Sequence, residues 1–456
     1  MDNITTPPKN ETKSWFGESV LLKLGLIAIL TLILLIPSNW ITVLIAERQN
    51  RQDEVIEEIS DKWSGSQFLQ GPVLILPYKT TVSMKDSTGK SSFKEQLTNI
   101  YILPEMLNIT SKVDPEILHR GIFDAVVYNT KLNVNGKFSQ LELKKSGINP
   151  AMVQWDKAKI AIGMSDLKGL KNNPEIKLAN QKYAVEPDFA TVRLFTNTLV
   201  ILPDLSAEKN SAQSFSFELN LRGSTELGFQ HLGKSTVVSV QGKWNNPSFT
   251  GRYLPEQRKI TDNGFSATWK MTYFNRLFPQ QWIAEHTVLS AETQKDSFGV
   301  KFLLPVDQYQ KTMRSAKYAI LVILLTFISL FFTELLQKKK VHLLQYILIG
   351  AAMIIYYTLL LSFSEQFGFD IAYLIASAAT VILIGSFIGM LLKNRKPALV
   401  FAGILSIFYG FIYIIIQLQD LSLIFGSIGL FITIAVLMYL SAKIDWTKKS
   451  TAEINS

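Results

Sequence analysis

Cysteine is absent from the 456 residues, so the chain forms no disulfide, no thiolate metal site and no cysteine nucleophile. Histidine is scarce: His119, His231, His286 and His342 stand far apart, with no HExxH or other ligand spacing. The glycine patterns of phosphate and dinucleotide loops are missing, as is the GxSxG elbow of a serine hydrolase. These gaps leave no positive case for an enzyme, and no cofactor or metal is implied. A formal charge of +9 raises nucleic acid as a partner. The lysines, however, are scattered or gather at the ends of apolar segments, and no basic run alternates with aromatics, so nucleic acid is set aside.

Long apolar runs are abundant. Residues 24–45, 318–336, 341–363, 371–392, 398–417 and 421–442 each approach the ~20 residues that cross a bilayer. The joints of the last five segments alternate in charge. Lys338, Lys339 and Lys340 are followed by Glu365 and Asp370, then by Lys393, Arg395 and Lys396, then by Asp420, and finally by Lys443, Lys448 and Lys449. The positive-inside rule then predicts about six crossings with both termini cytoplasmic. Anionic lipid headgroups are the expected counter-charge at the basic joints. The first segment has a long polar lead and no small-x-small cleavage site close behind it, so it reads as an uncleaved anchor.

The expected organisation is a cytoplasmic lead over 1–23, a first transmembrane helix over 24–46, an outer domain over 47–317, a five-helix bundle over 318–442 and a cytoplasmic tail over 443–456. Within the outer domain, residues 47–67 read as a stalk helix, with Val55, Ile56, Ile59 and Trp63 on one face and acids opposite. Two readings of that face are open, packing onto the domain or holding a partner. Over 72–304 the periodicity changes to short alternating runs at 73–78, 99–103, 123–134, 192–202, 215–221, 236–240 and 265–273, bounded by Gly, Pro, Asn or Asp. That pattern predicts a large inserted all-β domain, antiparallel and sandwich-like.

Stretches spread over the whole chain resemble one known family, the bacterial inner-membrane protein CreD, also described as a cell envelope integrity protein. The likeness is carried by Gly71-Pro72-Val73-Leu74, Arg120-Gly121-Ile122-Phe123, Trp244 with Pro247-Ser248-Phe249, Pro305-Val306-Asp307, Leu325-Thr326-Phe327, Val341-His342, Ser364-Glu365 and Asp445-Trp446. It runs from Arg51 to Trp446 and is specific in joint order and spacing rather than in any single motif. The resemblance implies a protein of the Gram-negative envelope whose production belongs to a two-component response, tied to colicin tolerance and envelope stress. It supplies no catalytic residues.

Ionisable groups in or near the membrane are the natural functional candidates, because a charge in hydrocarbon costs a few kcal/mol and needs compensation. Glu334 precedes Lys338 by about a turn, with His342 just beyond. Glu365, Asp370 and Asp420 fall in short joints opposite Lys311, Arg314 and Lys317, where they are expected to dock the β domain on the bundle. The last four spans carry small and aromatic residues at mid-depth and no charge, which counts against an ion-coupled transporter. The expectation is therefore a multi-pass protein of the bacterial inner membrane that binds or scaffolds through an outer β domain. Its partners are the lipid bilayer and an envelope protein or lipid that the sequence does not name, with oligomeric state undefined. The alternative is lipid handling or small-molecule transport by the bundle.

Overall fold

The computed structural model of the chain describes residues 20–85, 91–190, 194–276, 279–284, 297–304, 308–337, 339–418 and 421–442. Most of the expected lead, the tail over 443–456 and Asp420 lie outside these residues. The chain divides into two compact units, Met1–Arg51 with Val306–Ser456, and Gln52–Pro305.

Helix α1 (Val20–Trp63) is continuous over 44 residues, so the anchor and the expected stalk are one helix. The sequence suggests a break where apolar Ile45-Ala46 gives way to Glu47. Helical hydrogen bonding is indifferent to that change of polarity, and even Pro37 is accommodated inside the helix.

The strands of the second unit are β1 (Gln67–Lys85), β2 (Ser91–Ile102), β3 (Met106–Arg120) and β4 (Phe123–Phe138), then, after a one-turn helix α2 (Leu143–Ser146), β5 (Lys159–Met164), β6 (Glu175–Leu178), β7 (Gln181–Ala184), β8 (Glu186–Pro187) and β9 (Asn197–Ile201). They continue with β10 (Gln213–Ser224), β11 (Glu226–Gln230), β12 (Ser235–Gly242), β13 (Pro247–Gly251), β14 (Gln257–Thr261), β15 (Gly264–Thr272), β16 (Gln281–Ala284) and β17 (Ser297–Phe302). Two sheets result. One has nine strands along β13-β17-β11-β1-β5-β9-β8, with β2 and β16 joined through β1. The other has eight in the order β14-β15-β12-β3-β4-β10-β6-β7.

The sheets enclose a common core. Leu74, Leu76, Ile160 and Phe229 of the first meet Leu107, Ile109, Val134, Leu219, Val238 and Trp269 of the second, which is sandwich packing. The expected antiparallel pattern needs one correction. β1 pairs parallel with β11, and β12 pairs parallel with β3 over Ser235–Gly242 and Met106–Val113. Parallel neighbours need crossovers, and these form because the chain moves from one sheet to the other between β11 and β12.

In the first unit, α3 (Gln308–Lys317) buries Tyr309, Thr312, Ser315 and Ala316 and has contacts with α4 (Ala319–Gln337), α5 (Leu343–Phe367), α6 (Phe369–Leu392) and α7 (Arg395–Gln417). α8 (Ser422–Ala442) packs on α7. Among the described residues five helices, α1 and α4 to α7, are long and apolar enough to cross a membrane, and Ile424–Tyr439 inside α8 is a shorter apolar helix. Gly350 of α5 brings the helices close, because a Cβ there would strike Leu34 of α1 and Phe327 of α4.

Candidate functional site

Three ion pairs of the helical unit fall in two clusters. In the first, Lys23 of α1 forms an ion pair with Glu334 near the end of α4 and donates to the Val341 carbonyl at 3.0 Å. The Tyr346 hydroxyl donates to the other Glu334 oxygen at 3.2 Å, and the Lys23 ammonium lies 5.7 Å from the centre of that ring. Glu334 is therefore held by a residue 311 positions away; Lys338, its expected neighbour, lies outside the described residues. His342 is exposed and caps α5, where its backbone N–H donates to Gln345 Oε1 at 2.8 Å.

The second cluster lies where α5 gives way to α6. Glu365 accepts from the Tyr309 hydroxyl at 3.0 Å and has Arg48 Nε at 3.9 Å. Asp370 accepts from Gln417 Nε2 at 2.6 Å and the Tyr413 hydroxyl at 3.1 Å, with Lys311 Nζ at 3.7 Å. Among the described residues Lys311 meets an acid, whereas Arg314 and Lys317 are in no ion pair. Lys23 and Arg48 share α1, and at 1.5 Å per residue they are about 38 Å apart. That distance exceeds a hydrocarbon core of ~30 Å, so both clusters fit the interfaces of a bilayer rather than its middle.

Between the clusters, aromatic side chains replace charge. Tyr356 of α5 stacks obliquely on Tyr409 of α7 with ring centres 4.8 Å apart, and Tyr373 of α6 donates its hydroxyl to the Tyr409 carbonyl at 2.7 Å. That bond ties α6 to α7 beneath a groove of about 580 Å³ lined by Asp370, Tyr373, Ser377, Ser406, Tyr409 and Tyr413 together with Leu374 and Ile382. The polar residues recur every three or four positions and so fall on one face of each helix.

A concavity of about 910 Å³ lies on the second unit. Alternation along the eight-stranded sheet sends Leu107, Ile109 and Val113 into the core and Thr110, Lys112 and Asp114 to the opposite face. Register then builds a row across six strands. Lys259 of β14 is opposite Ser266 of β15, Ser266 is opposite Gln241 of β12, and Gln241 is opposite Lys112 of β3; Lys112 is opposite Lys131 of β4, and Lys131 is opposite Asn220 of β10. The next row repeats the chemistry with Thr268, Ser239, Thr110 and Asn133. Lysines 112, 131, 171, 243 and 259 line this trough with one acid, Asp114. Lys112 directly opposite Lys131 is a like-charge pair, unfavourable by a few tenths of a kcal/mol up to ~1. Glu218 relieves Lys131 at 2.7 Å, and Lys171 donates to Asn129 at 3.0 Å. Lys112, Lys243 and Lys259 are in no ion pair among the described residues.

Comparison with known proteins decides the family. The family model described as "Inner membrane protein CreD" matches residues 19–447, which takes in both units. The chain belongs to the CreD family. It is also similar to the protein named "Inner membrane protein CreD" of Escherichia coli (strain K12), at 28% identity over 415 residues and 91% of each chain. The fold agrees with a CreD-family inner membrane protein, in which several helices of spanning length accompany a large β domain.

Sequence reasoning missed the lysine trough in this CreD-family chain. Its residues come from β3, β4, β10, β12, β14, β15 and the connections that hold Lys171 and Lys243, and share no local window. The signal that was available is strand alternation, which makes Lys112 and Lys131 outward positions once β3 and β4 are paired.

Proposed function

We propose that this protein is a non-catalytic support of the cell envelope that binds another envelope component through its β domain, held in the periplasm with both chain ends in the cytoplasm. The observation that carries the reading is the trough on the eight-stranded sheet. Its floor is a row of paired strands, with Lys171, Lys243 and Asn263 added from the connections, so a ligand meets a largely preorganised surface and little ordering entropy opposes binding. Uncompensated lysines on that surface are what a binding face presents to a partner of opposite charge. Membership in a family of envelope proteins supports a role in envelope stress and integrity.

Photo-crosslinking in living cells from Asn133 and Ser266, two exposed positions in or beside the trough, tests this reading. Reproducible capture of an envelope component that is lost on competition with salt supports it. No capture from either position, or labelling that places residue 216 in the cytoplasm, overturns it. Because the chain has no cysteine, a single Ser216→Cys substitution reports sidedness to an impermeant maleimide without background.

A second reading, lipid handling by the bundle, is favoured by one observation, the groove between α6 and α7 with hydroxyls on its floor and Asp370 at one end. A Tyr373→Phe, Ser377→Ala double substitution that changed lipid retention by the purified protein would move the assignment to that groove.

A further inference from the structure

We infer that the trough on the eight-stranded sheet binds an extended anionic glycan, a sugar polymer bearing carboxylate or phosphate groups. The inference rests on the proposed binding role of the β domain and supplies its ligand class.

Three features point to that chemistry. The trough is basic, with five lysines against Asp114, and Lys112, Lys243 and Lys259 have no acid among the described residues to neutralise them. An anion bridging Lys112 and Lys131 turns an unfavourable like-charge register pair into two charge-assisted hydrogen bonds. The groups between Lys259 and Lys112 are a hydroxyl and an amide, Ser266 and Gln241, and the adjacent row adds Thr110, Ser239 and Asn133; all of these donate and accept as sugar hydroxyls do.

Shape selects a polymer over a small anion. The row from Lys259 to Asn220 crosses six strands, and at ~4.8 Å per strand it is about 24 Å long. Lys259 and Lys131 stand four strands apart, too far for one phosphate or carboxylate to reach both. The trough is also the wrong surface for nucleic acid. Single strands are held by exposed aromatic platforms, whereas the one aromatic residue lining the trough, Phe265, is 5% exposed and belongs to the core.

The full-length protein in detergent micelles tests the inference by titration with three probes of matched length: an oligogalacturonate, a phosphorylated oligomannoside, and the fully methyl-esterified, neutral oligogalacturonate. Binding of one or both anionic probes, weakening with added salt and absent for the neutral probe, is the expected result; which anion binds tells carboxylate from phosphate. Lys112→Gln and Lys259→Gln should each reduce affinity about tenfold. Both positions are exposed, and Lys112→Gln also removes a like-charge pair, so melting temperature should not fall. If neither anionic probe binds, or if the lysine variants bind as the parent does, the inference is overturned. Crosslinking that captures a protein at Ser266 while no glycan probe binds overturns the glycan and leaves the binding role standing. Loss of both overturns the two together.

Discussion

Removing the Lys23–Glu334 ion pair should destabilise the helical unit measurably, and the size of the effect follows from its surroundings. The side chains are 30% and 11% exposed, so the pair is neither a surface bridge nor a fully dry one. At an effective dielectric of about 20, two charges 4 Å apart attract by ~4 kcal/mol. Desolvation of Glu334 and residual solvent at Lys23 offset more than half of that, which leaves a coupling of about 1–2 kcal/mol. Each single variant also strands a partner: Lys23→Met leaves Glu334 with Tyr346 alone, and Glu334→Gln leaves Lys23 with the Val341 carbonyl. Each should therefore cost about 1–3 kcal/mol. The assay is a double-mutant cycle read by denaturant unfolding of the purified protein in bicelles. Lys311→Met with Asp370→Asn serves as control; Asp370 is 55% exposed there, and the expected coupling is at most ~0.5 kcal/mol. A Lys23–Glu334 coupling below ~0.3 kcal/mol, indistinguishable from additivity, would refute the reasoning.

Three further outcomes are expected. The Glu58 carboxyl is held well below its ordinary 4.5, at about 2, first by the hydrogen bond from Lys62 and then by Arg120. Its stabilising contribution is thus whole above pH 4.5 and disappears as pH falls towards 2. Hydrogen exchange at the end of α1 should quicken over that interval in the parent but not in Glu58→Gln. Trp269 is 1% exposed and its indole N–H donates to the Tyr253 carbonyl at 2.9 Å, so Trp269→Ala should cost about 3–5 kcal/mol in thermal unfolding of the β domain. Gly350→Val drives a branched side chain into Leu34 and should lower the melting temperature of the helical unit, while the open position Gly403→Val should leave it nearly unchanged.

Apolar length was legible because hydrocarbon demands it: α1 and α4 to α7 stand where runs of ~20 apolar residues stand. Alternation likewise marked β1, β2, β4, β9, β10, β12 and β15. The central strand β3 escaped notice. Its inward set Leu107, Ile109, Ser111, Val113 is interrupted by a hydroxyl, and only the fold shows that Ser111 is satisfied by Thr130 at 2.9 Å. The same limit hid the Glu334 partner. Local spacing offers Lys338 at one helical turn, whereas Lys23 becomes a neighbour only through helix packing. The groove between α6 and α7 was legible only as small and aromatic residues at mid-depth that permit either close packing or a gap, since side-chain identity does not reveal which helix faces which.

The long ladder between β3 and β4, unbroken from Met106 opposite Lys137 to Arg120 opposite Phe123, constrains how such a surface can evolve. Loss or gain of a single codon within β3 or β4 would turn the outward residues beyond it, Lys112 or Lys131 among them, towards the oily interior, so length is constrained there. Point changes at the even positions of β3 leave the interior untouched. Lineages are free to retune what the sheet recognises, one outward residue at a time, on a scaffold whose spacing they must inherit.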